Sequence, residues 1–144
     1  MRVYVASSWR NEYQPSVVHR LRKNGHDVYD FRHPRPGEDG FGWRQRTDEP
    51  LPWSVKTYLE VLSSPPAELG YRLDWNAMER SEACVVVMPC GRSAHLEAGY
   101  FVGAGKRCAI LLPNGEKPVD EPELMYKMAG VITADLDDVV RFLR

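Results

Sequence analysis

Cysteine is scarce in this chain and odd in number: Cys84, Cys90 and Cys108 are the three among 144 residues. An odd count without a Cys-x-x-Cys spacing argues against a disulfide framework or a zinc site and fits reduced thiols in a cytoplasmic protein. Excess charge is lacking too. Lys plus Arg total 19 and Asp plus Glu total 20, for a net charge of −1. A protein built to grip a nucleic-acid polymer carries a strong positive field, so that class is disfavoured. A small phosphorylated ligand is not, because it needs only one or two local cations. No apolar run approaches the roughly 20 residues of a membrane span, so no membrane partner is expected. The first residues run directly into a strand-like segment, so no leader is expected either. Several motifs are missing as well. No G-x-G-x-x-G follows the first strand. Gly103-Ala-Gly105-Lys106 lacks phosphate-loop spacing. Cys90 lacks the phosphatase-loop arginine, since Leu96 stands at that spacing. His19, His26, His33 and His95 do not cluster as metal ligands. Neither cofactor nor metal is expected.

The hydrophobic fraction, 43%, suffices for one packed core, and a single domain over residues 1–144 is expected. Arg2–Ser7 reads as a buried strand, Gln14–Asn24 as a helix closed by Gly25, and Asp27–Phe31 as a second strand. From Arg32 to Gly70 the pattern breaks into a stretch rich in proline and glycine, with Trp43 and Trp53. Within it, Ser54–Leu62 can form a helix. The tryptophans favour an ordered lid over a linker. Tyr71–Ser81 reads as a helix, Cys84–Met88 as a strand, Ala94 to about Gly103 as a helix and Cys108–Leu112 as a fourth strand. Val131–Thr133 is a short fifth strand and Leu136–Leu143 a closing helix. Five strands alternating with helices predict a doubly wound, parallel α/β sheet of the flavodoxin or Rossmann kind, with order 2-1-3-4-5 and helices on both faces. In that order ligands bind at the carboxyl ends of the strands, where Ser7–Asn11 (SSWRN) and Pro89–Ser93 (PCGRS) meet.

Three constellations bear chemistry. In GRSAHLEAGY, residues 91–100, Ser93 suits a helix N-cap, and Glu97 lies about one turn into the helix, near the positive end of its dipole. An ionised carboxylate at the ligand end of the sheet is what a glycosyl-transfer nucleophile requires, although acids are also common in first turns for structural reasons alone. Asp74, beside Trp75, reads either as a helix N-cap or as a carboxyl that exchanges a proton with a leaving group. Tyr4 with Ser7, Ser8, Trp9 and Arg10 forms a hydroxyl-rich turn with a guanidinium, suited to phosphate or a sugar hydroxyl. A tyrosine within a strand is otherwise a core residue.

These residues resemble a known group. YVASSWRN near the start, D-x-x-x-M-E-R-S-E-A-C-V-V-V before the third strand and PCGRSAHLEAGY-x-x-G-A-G-K after it are similar to the nucleoside 2-deoxyribosyltransferase superfamily, which includes nucleoside 5′-monophosphate N-glycosidases. The similarity covers roughly Arg2–Asn11 and Tyr71–Leu112. By this resemblance Glu97 is the nucleophile at C1′, Asp74 the acid that assists departure of the base, and Tyr4 the residue that orients Glu97. Ser8 and Arg10 match first-loop phosphate ligands, and Gly91, Arg92 and Ser93 form a second anion loop. The transferases often carry another acid shortly before the nucleophile, for the sugar 5′-hydroxyl. Residues 91–96 contain none, which favours a nucleotide and hydrolysis over base exchange. Trp43 and Trp53 are candidates for stacking on the base. The resemblance also implies a homodimer or higher homo-oligomer. Two alternatives stand beside hydrolysis: a transferase exchanging bases between nucleosides, and a non-catalytic nucleotide-binding module.

Overall fold

A computed structural model describes residues 1–113, 119 and 122–144. Its strands are β1 (Arg2–Ala6), β2 (Asp27–Asp30), β3 (Ala83–Val87), β4 (Arg107–Leu111) and β5 (Val131–Thr133). They form one parallel sheet in the order β2-β1-β3-β4-β5. The helices are α1 (Gln14–Lys23), α2 (Val55–Leu62), α3 (Pro65–Arg80), α4 (Arg92–Gly103) and α5 (Leu136–Phe142). The chain divides into two compact units: Met1–Asp30 with Arg80–Arg144, and Phe31–Glu79.

In the first unit the period of two along each strand sorts side chains onto two faces. Val3, Val5, Val28, Ala83, Val85, Val87, Ala109 and Leu111 share one cluster with Val17, Val18 and Leu21 of α1 and Val139, Val140 and Leu143 of α5. The alternate residues face the other way. Tyr29, Tyr4, Cys84 and Cys108 stand side by side in register across four strands. Tyr4 stacks on Tyr29 at 5.3 Å and packs against Phe101 of α4 at 5.8 Å. Thus α1 and α5 cover one face and α4 the other. Pro15 opens α1, where its missing N–H costs nothing. Arg20, Arg22 and Lys23 in its last turn meet the negative end of the dipole. Gly25 then turns the chain at φ +85°, a left-handed conformation that favours glycine.

The second unit is more ordered than its composition suggests. Ser54 caps α2, its hydroxyl accepting from the Thr57 N–H. Trp43, on a 3₁₀ turn over Trp43–Gln45, packs edge-on to Phe41 and Trp53 and tilted against Tyr58, with ring centres 4.9–6.0 Å apart. The Trp53 indole donates to the Glu49 carbonyl. The expected helix over Tyr71–Ser81 in fact begins at Pro65. The Pro65-Pro66 pair, read as punctuation, occupies the first turn, where prolines are tolerated.

Candidate functional site

A hydroxyl and a side-chain amide join the two loops that leave the sheet beside its reversal point. The Ser7 hydroxyl donates to the Val87 carbonyl at 2.8 Å. The Asn11 amide donates to the carbonyls of Val87 and Pro89 at 3.1 and 3.0 Å. Its Oδ1 accepts from the Tyr13 and Gln14 N–H groups, which fastens the start of α1. Asn11 is buried and is the strut between the β1 and β3 loops. It belongs to the SSWRN turn but was not among the expected site residues. The signal was present: an Asn just ahead of a helix is a frequent capping residue.

Tyr4 and Glu97 come together. Tyr4 sits in the middle of β1, fully buried. Its hydroxyl donates to Glu97 Oε1 at 2.9 Å. Glu97 lies in the second turn of α4, half-buried. A strand thus fixes one carboxylate oxygen while the helix holds the stem. The negative charge of Glu97 also reaches two thiols. Burial first, then Glu97, pushes Cys90 up to about 11. Burial, the neighbouring Cys108 and Glu97 push the fully buried Cys84 well up. Both remain neutral thiols near neutral pH, so neither is poised as a nucleophile.

The remaining expected residues divide as follows. Ser7 spends its hydroxyl proton on Val87, so it is a strut rather than a phosphate donor. Ser8 shapes the turn: its side chain accepts from Arg10 N–H and its carbonyl from Asn11 N–H. Trp9 and Arg10 are exposed beside it. The α4 helix starts at Arg92 with Gly91 as N-cap, so Ser93 is not the cap. It lies inside the first turn, exposed together with Arg92. A glycine cap lacks a side chain to satisfy the first N–H groups, which leaves them to solvent or to an anion.

Asp74 is not an N-cap either. Because α3 begins at Pro65, Asp74 lies in its middle, partly buried. It lines a pocket of the second unit with Phe31, Pro34, Phe41, Arg46 and Leu73. The Arg46 guanidinium lies 5.0 Å from the Phe41 ring centre. Trp43 and Trp53 do not line this pocket, and the aromatic side chains there are Phe31 and Phe41. Among the described residues, no group of three His, Cys, Asp or Glu is placed to hold a metal, and no helix is long and apolar enough to cross a membrane.

No family model and no curated protein sequence matches the chain. Solved structures do. The chain is similar to the 2-deoxyribosyltransferase of the psychrotolerant bacterium Bacillus psychrosaccharolyticus, with a TM-score of 0.58 and 20% identity over 97% of this chain and 90% of that one. It is similar to the CMP N-glycosidase BcmB of Clostridium botulinum, with a TM-score of 0.52 and 15% identity over 99% and 98%. It is also similar to a conserved protein from Enterococcus faecalis V583, with a TM-score of 0.59 and 11% identity over 99% and 96%. The fold is therefore shared with enzymes named for deoxyribosyl transfer and for nucleotide N-glycoside cleavage.

Proposed function

We propose that this chain cleaves the N-glycosidic bond of a nucleoside 5′-monophosphate by covalent catalysis. Glu97 displaces the base from C1′, forming a glycosyl ester. Asp74 supplies the proton that the departing base takes up. Water then attacks C1′ of the ester while returning a proton to Asp74, which frees Glu97 and releases the sugar phosphate. Tyr4 keeps the attacking oxygen oriented. Ser8, Arg10 and Ser93 hold the phosphate. Phe41 and Arg46, which share a pocket with Asp74, offer a ring face and a planar cation to the base.

The observation that carries this reading is the hydrogen bond from buried Tyr4 to Glu97. A glutamate needed only for helix solubility has no use for a partner fixed in the sheet. The fold shared with a CMP N-glycosidase and a 2-deoxyribosyltransferase agrees with it. Arg92 and Ser93, standing where an acid would serve a 5′-hydroxyl, favour a phosphorylated substrate.

The test is a panel of ribo- and deoxyribonucleosides and their 5′-monophosphates, scored for free base with and without a second base as acceptor. Base release from monophosphates without acceptor is expected. Glu97→Gln should lower it by roughly a thousandfold or more while the fold persists. Full activity in that variant ends the assignment. A new nucleoside appearing only with acceptor moves the reading to base exchange. Tight binding without release moves it to a nucleotide sensor.

A further inference from the structure

His95 reads from sequence as an ordinary helix-surface residue, yet both of its ring nitrogens are engaged. Nδ1 lies 2.7 Å from the Gly91 carbonyl oxygen, and Nε2 lies 2.7 Å from the Tyr126 hydroxyl. A carbonyl oxygen can only accept, so Nδ1 carries the proton. In the neutral imidazole Nε2 is then the lone-pair nitrogen, and Tyr126 donates to it. The two rings also stack, with centres 5.6 Å apart and planes 23° from parallel. Tyr126 belongs to a 3₁₀ turn over Leu124–Met128, between β4 and β5. Its hydroxyl lies 3.7 Å from Met88 Sδ, and Cys90 Sγ lies 3.3 Å from the same sulfur.

Gly91 is the N-cap of α4, and its carbonyl belongs to the peptide that presents the Arg92 N–H. Holding that carbonyl fixes the direction in which the first N–H groups of the helix point. We infer that His95 is a positioning residue for the 91–93 loop: it clamps the Gly91 carbonyl, braced from behind by Tyr126, and so preorganises the loop for a phosphate monoester. This rests on the proposed assignment of that loop to the substrate phosphate. Preorganisation raises affinity by sparing the loop the cost of ordering on binding. The role therefore belongs to ground-state phosphate binding and not to the bond-breaking step.

Two readouts test it. The first is the tautomer of His95 by nitrogen NMR of the histidine side chains. The Nδ1–H form is expected, and Tyr126→Phe, which removes the donor to Nε2 but keeps the Gly91 contact, should lower its population. An Nε2–H form in the wild type overturns the clamp. The second is titration with inorganic phosphate, followed at the backbone amides of Arg92 and Ser93. His95→Ala should weaken phosphate by about five- to tenfold, the scale of one hydrogen bond. His95→Asn, whose amide donates from nearly the Nδ1 position, should recover most of that loss. In turnover, His95→Ala should raise KM for the monophosphate by a similar factor, leaving kcat and the matching nucleoside little changed. Equal phosphate affinity in wild type and His95→Ala, or no phosphate binding in the wild type, overturns the inference. If no nucleotide releases base but the phosphate affinities still differ, the glycosidase reading falls and the clamp stands.

Discussion

The two units of the chain hold themselves together in different ways. Valine, leucine and alanine side chains from five strands and two helices interlock in the sheet unit, and many of them, such as Val3, Val85 and Leu21, are wholly buried. In Phe31–Glu79 the buried apolar side chains are Val61, Ala67 and Met78, each still 7–8% exposed, while Trp43 remains 39% exposed within its aromatic cluster. One unit is stabilised by apolar area removed from water, the other by a few ring contacts and local hydrogen bonds. Under the proposed function the attacking carboxylate, Glu97, stands on the better packed unit, where support is rigid, and the pocket with Phe41 and Arg46, assigned there to the base, stands on the looser one.

Truncation is the most direct way to break this comparison. Phe101→Ala removes a wholly buried ring between α4 and Tyr4 and should cost about 3–5 kcal/mol in urea unfolding. Trp43→Ala should cost about 1 kcal/mol, because its ring is partly solvated and its edge contacts are modest. Equal losses would mean that the insertion is as tightly built as the sheet.

A smaller effect sharpens the comparison within the insertion. Gly70 lies on α3 against Phe41, and a β-carbon there would stand 2.9 Å from Phe41 Cβ and 3.2 Å from Cγ. Those atoms sit close to the Phe41 backbone, so they cannot swing aside as a side-chain tip would. Gly70→Ala should cost about 1–3 kcal/mol and push Phe41 out of the pocket wall. Under the proposed function its signature is a changed ranking among bases. A uniform loss across all bases would separate Phe41 from base choice.

How far the sequence foretells the structure follows the same division. Continuous apolar runs such as Cys84–Met88 and Cys108–Leu112 mark strands to within a residue, because a parallel strand buried on both faces has little freedom in composition. The strand order follows from the strand–helix–strand rhythm. The Tyr4–Glu97 contact is reachable only through the family resemblance, since the two residues are separated by 93 positions and no periodicity links them. The start of α3 was misplaced because Pro65 and Pro66 signal a break and a helix start equally well. Asp74 was accordingly read at a helix end when it lies mid-helix. His95 reads from sequence as a helix-surface residue because its pairing with Tyr126 depends on a 3₁₀ turn that carries no sequence pattern of its own.

Within the sheet unit, Tyr4→Phe isolates one hydrogen bond while leaving the ring packing on Tyr29 and Phe101 in place. Stability should change by about 1 kcal/mol or less. Under the proposed function the chemical step should slow by about five- to tenfold, with KM little altered, because there the lost contact orients the attacking Glu97. A change in KM alone would make Tyr4 a substrate ligand instead.

The smallest expected effect concerns the far edge of the sheet. Thr133 of β5 donates through its hydroxyl to Asp138 Oδ2 at 2.6 Å, and Arg141 pairs with the other carboxylate oxygen. The Thr133 hydrogen bond outweighs an opposing burial effect and, with the Arg141 charge and hydrogen bond, holds the Asp138 carboxyl below its usual range. A carboxyl depressed in the folded state contributes stability above its unfolded pKa, about 3.9, and loses it as pH falls through the folded value. The Thr133 hydroxyl also accepts from the Asp135 N–H, a contact that does not titrate. Thr133→Val therefore removes a pH-independent part and a pH-dependent part together. In melting curves from pH 7 to pH 2, the gap between wild type and variant should narrow in acid without closing. In an Asp138→Asn background the gap should stay constant with pH. Because Asp138 is solvent-exposed, salt should shrink the titrating part. A gap that widens in acid would mean that the carboxyl is destabilised by its surroundings, contrary to the geometry of the Thr133 contact.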